Sequence, residues 1–359
     1  MSIPRIPRTP RKSTRRLLAT STAVGIGLLL SAVGVGAQPT TTVRRAPTTS
    51  ALSYGFVEPS AEAVANGNVW ITNQGGDSVT EVTPDGALVR LLSAAAYGFA
   101  SPSAIVRAGS NLWIANSQSL TEIASATGAW TRTVSGATTG VVKPVALAVS
   151  GSDLYVLNST ESVAMLDSVT GALLGVAQGS TYGFSAPTAL AVAGKSLWVT
   201  NRTGNSVTEL DLGTLAWVQT VSSSADQFDA PEGIGFDGEH LWVADSASNA
   251  VTELTADGAF VQVINNATGP YGFDAPRTVL AKRSVTFITN PPGASPMITQ
   301  IADASGGANW YKCNTNGPYE FADPSALAVD GSRLFVANET GNSVTVMSAA
   351  TGALITVLS

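Results

Sequence analysis

The sequence predicts an all-β chain folded as a seven-bladed β-propeller of four-stranded antiparallel blades. Three observations predict it. Seven prolines, Pro59, Pro102, Pro144, Pro187, Pro231, Pro276 and Pro324, recur at spacings of 43, 42, 43, 44, 45 and 48 residues. Each opens a unit containing four short apolar runs, and self-similarity at such a period marks a radial repeat. One large ring recurs per unit, at Trp70, Trp113, Tyr155, Trp198, Trp242, Phe287 and Phe335. Its simplest role is to fill the space between neighbouring sheets. No stretch after residue 53 holds the 3.6-residue apolar spacing of a helix.

Taken in order, the chain starts with a segment that does not belong to the repeats. Arg5, Arg8, Arg11, Lys12, Arg15 and Arg16 form a basic start without an acidic residue. A mildly apolar run from Leu17 to Gly36 follows, and Val35-Gly36-Ala37 offers small residues for cleavage. Residues 1–37 therefore read as an export signal peptide, and the bacterial pattern places the mature protein outside the cell or in its envelope. Ser13-Thr14-Arg15-Arg16-Leu17-Leu18 resembles the twin-arginine class, a receptor-read address. The competing reading is a retained membrane anchor, since a span needs about 20 apolar residues. Gly and Thr dilute this run, so no stable membrane insertion is expected once the signal is cleaved. Residues 38–53 are rich in Thr, Pro and Ser and read as a linker.

From residue 54 to 359 the repeats are contiguous. In the first unit the strand candidates are Ala61–Ala65, Val69–Thr72, Val79–Val82 and Ala87–Leu92. Gly67-Asn68 and Asp85-Gly86 supply residues that tolerate positive φ where the chain must reverse. Gln74-Gly75-Gly76-Asp77 makes the middle turn. The last unit ends in Ala353–Leu358, a full fourth strand, so the ring is expected to close without borrowing a strand.

In its clearest copy the repeat phrase runs Tyr182-Gly183-Phe184-Ser185-Ala186-Pro187, then Leu197-Trp198-Val199-Thr200-Asn201, then Asn205-Ser206-Val207-Thr208-Glu209-Leu210. This phrase resembles NHL-type propeller repeats and the broader group that includes YVTN-type repeats and streptogramin lyases. The resemblance spans Tyr54 to Ser359. WD40 repeats fit less well, because no unit closes with Trp-Asp. The resemblance implies that the first strand of each blade is innermost. The loops entering it and the loops between strands two and three then share one face, and loops on a rigid scaffold carry function.

Composition narrows the function. Without the leader, 13 basic residues face 25 acidic ones, a net charge of −12. No basic cluster follows Arg44-Arg45. Nucleic acid is therefore not an expected partner, because phosphate binding needs grouped Lys and Arg. Cys313 is the one cysteine and His240 the one histidine, so neither an intrachain disulfide nor a His-based triad or zinc site can be assembled. In register His240 matches Asn68, Asn111, Asp153, Ser196 and Arg333, in the hairpin on the opposite face. Streptogramin lyases use a histidine base, so this departure counts against their activity here.

Most recurring polar residues read as blade construction. Asn73, Asn116, Asn158, Asn201, Asp245, Asn290 and Asn338 end the second strand of every unit, where Asn and Asp stabilise turns. Tyr54-Gly55-Phe56, Tyr97-Gly98-Phe99, Tyr182-Gly183-Phe184 and Tyr271-Gly272-Phe273 recur, with Asp226-Gln227-Phe228 and Tyr319-Glu320-Phe321 as variants and Gly140-Val141-Val142 in the third unit. Their phenylalanines read as plugs under the loop. Their tyrosines either pack likewise or ring the channel mouth. The sixth unit is irregular, with Asn290-Pro291-Pro292-Gly293 at its turn and Trp310-Tyr311-Lys312-Cys313 beyond. That is drift or a bump for a partner.

Departures from the repeat carry the functional reading. Around the proline, units five to seven and one carry Glu58, Asp229, Glu232, Asp274, Arg277, Glu320 and Asp323 where the others have Ser, Ala, Thr, Val or Lys. Such a half-ring is either a solvated acidic rim or a site for a basic ligand or a divalent cation such as Ca or Mg. Two further departures fall on innermost strands. Glu62 replaces the Ile, Leu or Val of other units, and Arg107 replaces Val, Phe or Ala. Burying either charge alone is costly, which predicts a Glu62–Arg107 pair between blades one and two. The resulting reading is an exported, monomeric, non-catalytic binding or interaction module for a protein, peptide or small molecule, with no required cofactor. The alternative is a metal-assisted hydrolase or lyase with its site at the channel mouth.

Overall fold

Each repeat proline stands where the chain leaves a loop and enters the innermost strand, and the conformation before it is fixed too. Glu58, Ser101, Lys143, Ala186, Ala230, Ala275 and Asp323, the seven residues preceding those prolines, all have φ between 46° and 56°. Proline disfavours the right-handed helical region for its predecessor, and here the left-handed region is used instead. The turn is held by backbone bonds across the loop, such as Gln74 N–H to the Glu58 carbonyl at 2.9 Å and Arg202 N–H to the Ala186 carbonyl at 3.2 Å.

The computed structural model describes residues 53–93, 95–222, 228–291, 296–302, 307–313 and 318–359, with 307–313 described in backbone only. All of these fall within the unit Val43–Ser359. The leader, nearly all of the linker, Asp226-Gln227, Pro292-Gly293 and the side chains of Trp310–Cys313 lie outside the described residues.

Seven four-stranded antiparallel sheets follow one another in sequence order, each built from consecutive strands. In blade one these are Pro59–Ala65, Asn68–Asn73, Ser78–Val82 and Leu88–Leu92, close to the expected spans. The innermost strands of the other blades are Ala104–Ala108, Pro144–Ser150, Pro187–Ala193, Pro231–Phe236, Val279–Lys282 and Pro324–Asp330. Blade seven is completed by its own Leu354–Leu358, so no strand is borrowed to close the ring. The closure rests on side chains: Phe56, Val69, Ile71 and Val82 of blade one pack with Phe335, Val344 and Leu358 of blade seven. The described helical content is three 3-10 turns of three residues each. No described helix is long and apolar enough to cross a membrane.

The core lies between blades. Trp70, Trp113, Trp198, Trp242 and Tyr155 are fully buried. The Trp113 indole N–H reaches the Ser168 carbonyl of blade three at 3.1 Å, and the Tyr155 hydroxyl reaches the Leu212 carbonyl of blade four at 2.7 Å. Each large ring thus fills the gap to the next sheet. Trp113 and Tyr155 also place their polar atom there, whereas the Trp242 indole N–H donates within its own blade to Asp237 Oδ2 at 2.8 Å, and those of Trp70 and Trp198 have no hydrogen-bond partner among the described residues.

The asparagine ring also builds the blade. In blade one the Asn73 amide donates to Ser78 Oγ at 3.1 Å and Thr80 Oγ1 at 2.9 Å, and Thr80 donates to the Tyr54 carbonyl at 2.6 Å. The same relay recurs in blades two, four and seven. It ties strands two and three to the loop that enters the blade. The tyrosines of that loop do not ring the mouth. The Tyr54 hydroxyl donates to the Gly86 carbonyl at 2.8 Å and that of Tyr97 to the Gly128 carbonyl at 3.0 Å, both in the turn before strand four. That turn is at the far end of an antiparallel blade from the mouth. Each ring stacks on its phenylalanine, as in Tyr54 and Phe56 at 5.2 Å and 5°. The stack needs a left-handed residue between the rings, and Gly55 supplies it at φ 67°.

The expected Glu62–Arg107 pair does not form. Arg107 is exposed and its Nε donates to the Gly109 carbonyl at 2.9 Å. Both Glu62 carboxylate oxygens are shut off from solvent without a side-chain partner, near the Ala328 backbone of blade seven. The reason is alternation: side chains two apart on a strand share a face. The third and fifth positions after the proline both point to the preceding blade. Ile105 accordingly packs with Ala65 and Trp70 of blade one. Glu62 therefore faces blade seven, and Arg107 lies on the face that meets blade one's other side.

Candidate functional site

The channel mouth is built at one repeat position. In blades one, five and seven the inner strand has one extra residue between pairing partners: Pro59 and Ala61 pair with Asn73 and Thr72, leaving Ser60 unpaired. Glu232 and Ser325 are left unpaired in the same way, and the register also shifts at Val145 and near Thr188. A β-bulge re-aims the side chain it frees. Ser60, Ser103, Val145, Thr188, Glu232, Arg277 and Ser325, the residues after the seven prolines, all line one cavity of about 410 Å³.

In blades one, four and seven this residue carries a hydroxyl that stitches neighbouring blades. Ser60 Oγ donates to the Pro102 carbonyl at 2.7 Å, Thr188 Oγ1 to the Pro231 carbonyl at 3.3 Å and Ser325 Oγ to the Pro59 carbonyl at 2.7 Å. Blades five and six replace the stitch with Glu232 and Arg277. Their backbones meet instead: a Cβ on Gly233 would fall 2.1 Å from the Arg277 carbonyl oxygen, so only glycine fits.

A second repeat position adds charge to the same cavity. The residue after each strand-two Asn or Asp is Gln74, Ser117, Ser159, Arg202, Ser246, Pro291 or Glu339. Arg202 Nε lies 3.0 Å from Glu232 Oε1. Arg277 stands between two carboxylates, with Nε 3.9 Å from Glu232 Oε2 and Nη1 3.6 Å from Glu339 Oε2. Burial raises the pKa of Glu339 above the usual carboxylate range; Arg277 opposes the rise, and the carboxylates of Asp323 and Glu58 add to it.

Of the seven expected site residues, Glu232 and Arg277 line the cavity. Glu58 and Asp323 stand near enough to act on Glu339. Glu58 is tied at its backbone N–H to Asn342 Oδ1 at 2.8 Å. Asp229 is exposed and acts on buried Asp245. Asp274 donates its backbone N–H to Asn290 Oδ1 at 3.2 Å. Glu320 is exposed at φ 53°, the place that glycine holds in blade one. Among the described residues, no three His, Cys, Asp or Glu side chains come together as a metal-binding group. His240 stands in the hairpin at the other end of its blade, with Nδ1 3.4 Å from Glu253 Oε1. Reading the departures around the proline finds Glu232 and Arg277 but misses Arg202 and Glu339. Their signal was present as departures at the position after the asparagine ring.

The fold and this mouth define a seven-bladed β-propeller with a mixed-charge cavity at one end of its channel. No protein-family model matches the chain, and no curated protein sequence does. Solved structures do match. A streptogramin B lyase superposes with a TM-score of 0.65 at 15% identity, over 80% of this chain and 93% of its own. A hydrazine synthase from Kuenenia stuttgartiensis gives 0.65 at 16%, over 85% and 99%. The computationally designed Ika8 protein gives 0.59 at 14%, over 84% and 87%. At these identities the likeness is one of fold, shared by natural proteins of different chemistry and by a designed one.

Proposed function

We propose that this chain is an exported, non-catalytic binding module that takes its ligand in the channel-mouth cavity. One observation carries the reading. At the single position where the other blades place small hydroxyl or apolar side chains, blades five and six place Glu232 and Arg277, and Arg202 and Glu339 complete a charged arc beside them. Charge concentrated on one arc of a ring otherwise lined by small uncharged side chains is a recognition feature rather than a folding one. The cavity falls in the size range of small-molecule sites, about 300–1,000 Å³. The acidic balance of the repeats keeps nucleic acid off the list of ligands.

The test is equilibrium dialysis against a small-molecule extract of the producing cells, read by mass spectrometry. The native protein is expected to enrich at least one compound and release it with unchanged mass. The combined Glu232→Gln, Arg277→Gln and Glu339→Gln variant is expected to enrich none of it. Equal enrichment by both proteins overturns the mouth as the site, and a ligand released with altered mass overturns the non-catalytic reading.

A further inference from the structure

The charges at the mouth are spaced as if something belongs between them. Charge-assisted N–H···O bonds run about 2.7–2.9 Å. Arg277 stands 3.6 Å and 3.9 Å from its two carboxylates, both longer than that range. Its root is nevertheless fixed. The Arg277 backbone N–H donates to the Thr289 carbonyl at 2.9 Å, its carbonyl packs on Gly233, and the next residue, Thr278, bonds Thr289 Oγ1 at 3.0 Å and the Ser325 carbonyl at 2.7 Å. A rigid base carrying a loosely engaged donor fork is a preorganised donor site for a carboxylate.

Charge balance then restricts the ligand. Glu339 is partly shielded from water and shares its surroundings with Asp323 and Glu58, with Arg277 as the one cation in ion-pair range among the described residues. A simple anion placed on Arg277 would withdraw that neutralisation and meet three carboxylates. A simple cation placed on Glu339 would meet Arg277, with Arg202 close behind on Glu232. A molecule with a carboxylate for Arg277 and a cationic group for Glu339 satisfies both sides. We infer that the channel mouth binds a small dipolar ligand with a free carboxylate and a free amine, the chemistry of an α-amino acid or a short unblocked peptide. The inference rests on the mouth being a binding site.

The experiment is isothermal titration of the native protein at low ionic strength with L-leucine, Ala-Ala and Ala-Ala-Ala. N-acetyl-Ala-Ala lacks the cation, and Ala-Ala-amide lacks the anion. At least one unblocked probe is expected to bind at millimolar concentration or better. Losing a charge-assisted bond should weaken each blocked analogue by about tenfold or more. Binding of leucine alone identifies an amino-acid site, and binding of the peptides alone a peptide site. Arg277→Gln should abolish the preference for Ala-Ala over its amide, and Glu339→Gln the preference over the acetylated form. Two separate single variants guard against one failing to fold. If a blocked analogue binds as tightly as its parent, or no unblocked probe binds, the dipolar class is wrong. Enrichment of some other compound by native protein in dialysis would then leave the mouth standing as a site for different chemistry.

Discussion

Replacing Asp245 by Asn should stabilise the protein, and only above a defined pH. Six blades end their second strand in Asn, whose amide can donate to a hydroxyl of strand three. Blade five ends it in Asp245, fully buried, with Ala250 where blade one has Ser78. Thr252 Oγ1 donates to Asp245 Oδ2 at 2.8 Å, while Oδ1 has no side-chain donor among the described residues. Burial is the main reason the carboxyl is pushed up to about 8; Thr252 and the Asp229 backbone N–H oppose it, and the Asp229 charge adds to it. The group is thus neutral in the folded protein at pH 7 and ionised in the unfolded chain above about pH 4. A raised folded pKa means that stability is fully present below the unfolded pKa and is lost as pH climbs to the folded one. The slope is about 1.4 kcal/mol per pH unit, so the loss across this window has an upper bound of about 5–6 kcal/mol. Relaxation of the site should reduce this to the order of 3 kcal/mol, as protein interiors respond with a higher effective dielectric than dry ones. Asn at 245 should donate to Thr252 as Asn290 does to Thr299 at 3.3 Å, in a blade where Met297 replaces the serine. Urea unfolding followed by tryptophan fluorescence at pH 4, 6, 7 and 8 provides the assay. The two proteins should agree within about 1 kcal/mol at pH 4 and diverge steadily to pH 8, the variant being the more stable. Parallel pH curves would refute the argument, because they would mean that Asp245 keeps an ordinary pKa in the fold.

Two other outcomes are expected. Glu62→Leu places the residue of blades three, four and seven in a slot where burial holds the carboxyl well above its usual range, opposed by the Ala328 backbone N–H. Thermal melts should show a gain that is larger at pH 8 than at pH 4, by the same sign rule, and a pH-independent gain would count against a neutral Glu62. Arg15→Lys with Arg16→Lys should abolish export by the twin-arginine route, read by cell fractionation, and continued export would assign the signal to the general secretory route.

The blades were legible because the demand for them recurs. Proline, the strand-two aromatic and the asparagine each answer a physical need that every blade shares, so their period exposes the architecture and the ring's closure. The mouth was legible only in part. Glu232 and Arg277 stand out beside the prolines, but nothing in one sequence says that the bulge turns that position into the channel. Arg202 and Glu339 were hidden because the asparagine before each looks structural, and it is. The Glu62–Arg107 expectation failed on parity rather than chemistry: both residues stand at odd positions after their prolines, so each faces the preceding blade and they address different interfaces. The tyrosines were open between two readings because the carbonyls that take their hydroxyls lie about 30 residues further along the chain, as from Tyr54 to Gly86.

Because every blade is assembled from its own consecutive residues, the ring has no covalent clasp at the blade seven–blade one seam. That seam is held by the same kinds of contact as the other six, including the Ser325-to-Pro59 stitch that repeats Ser60 to Pro102. Topologically the molecule therefore has no privileged starting point. Chains whose ends are joined between residues 359 and 54 and reopened in another inter-blade loop, such as at Gly179, should rebuild the same closed ring. Whole repeats are likewise the natural unit of insertion or loss, since a complete blade can be added without leaving a neighbour's sheet one strand short.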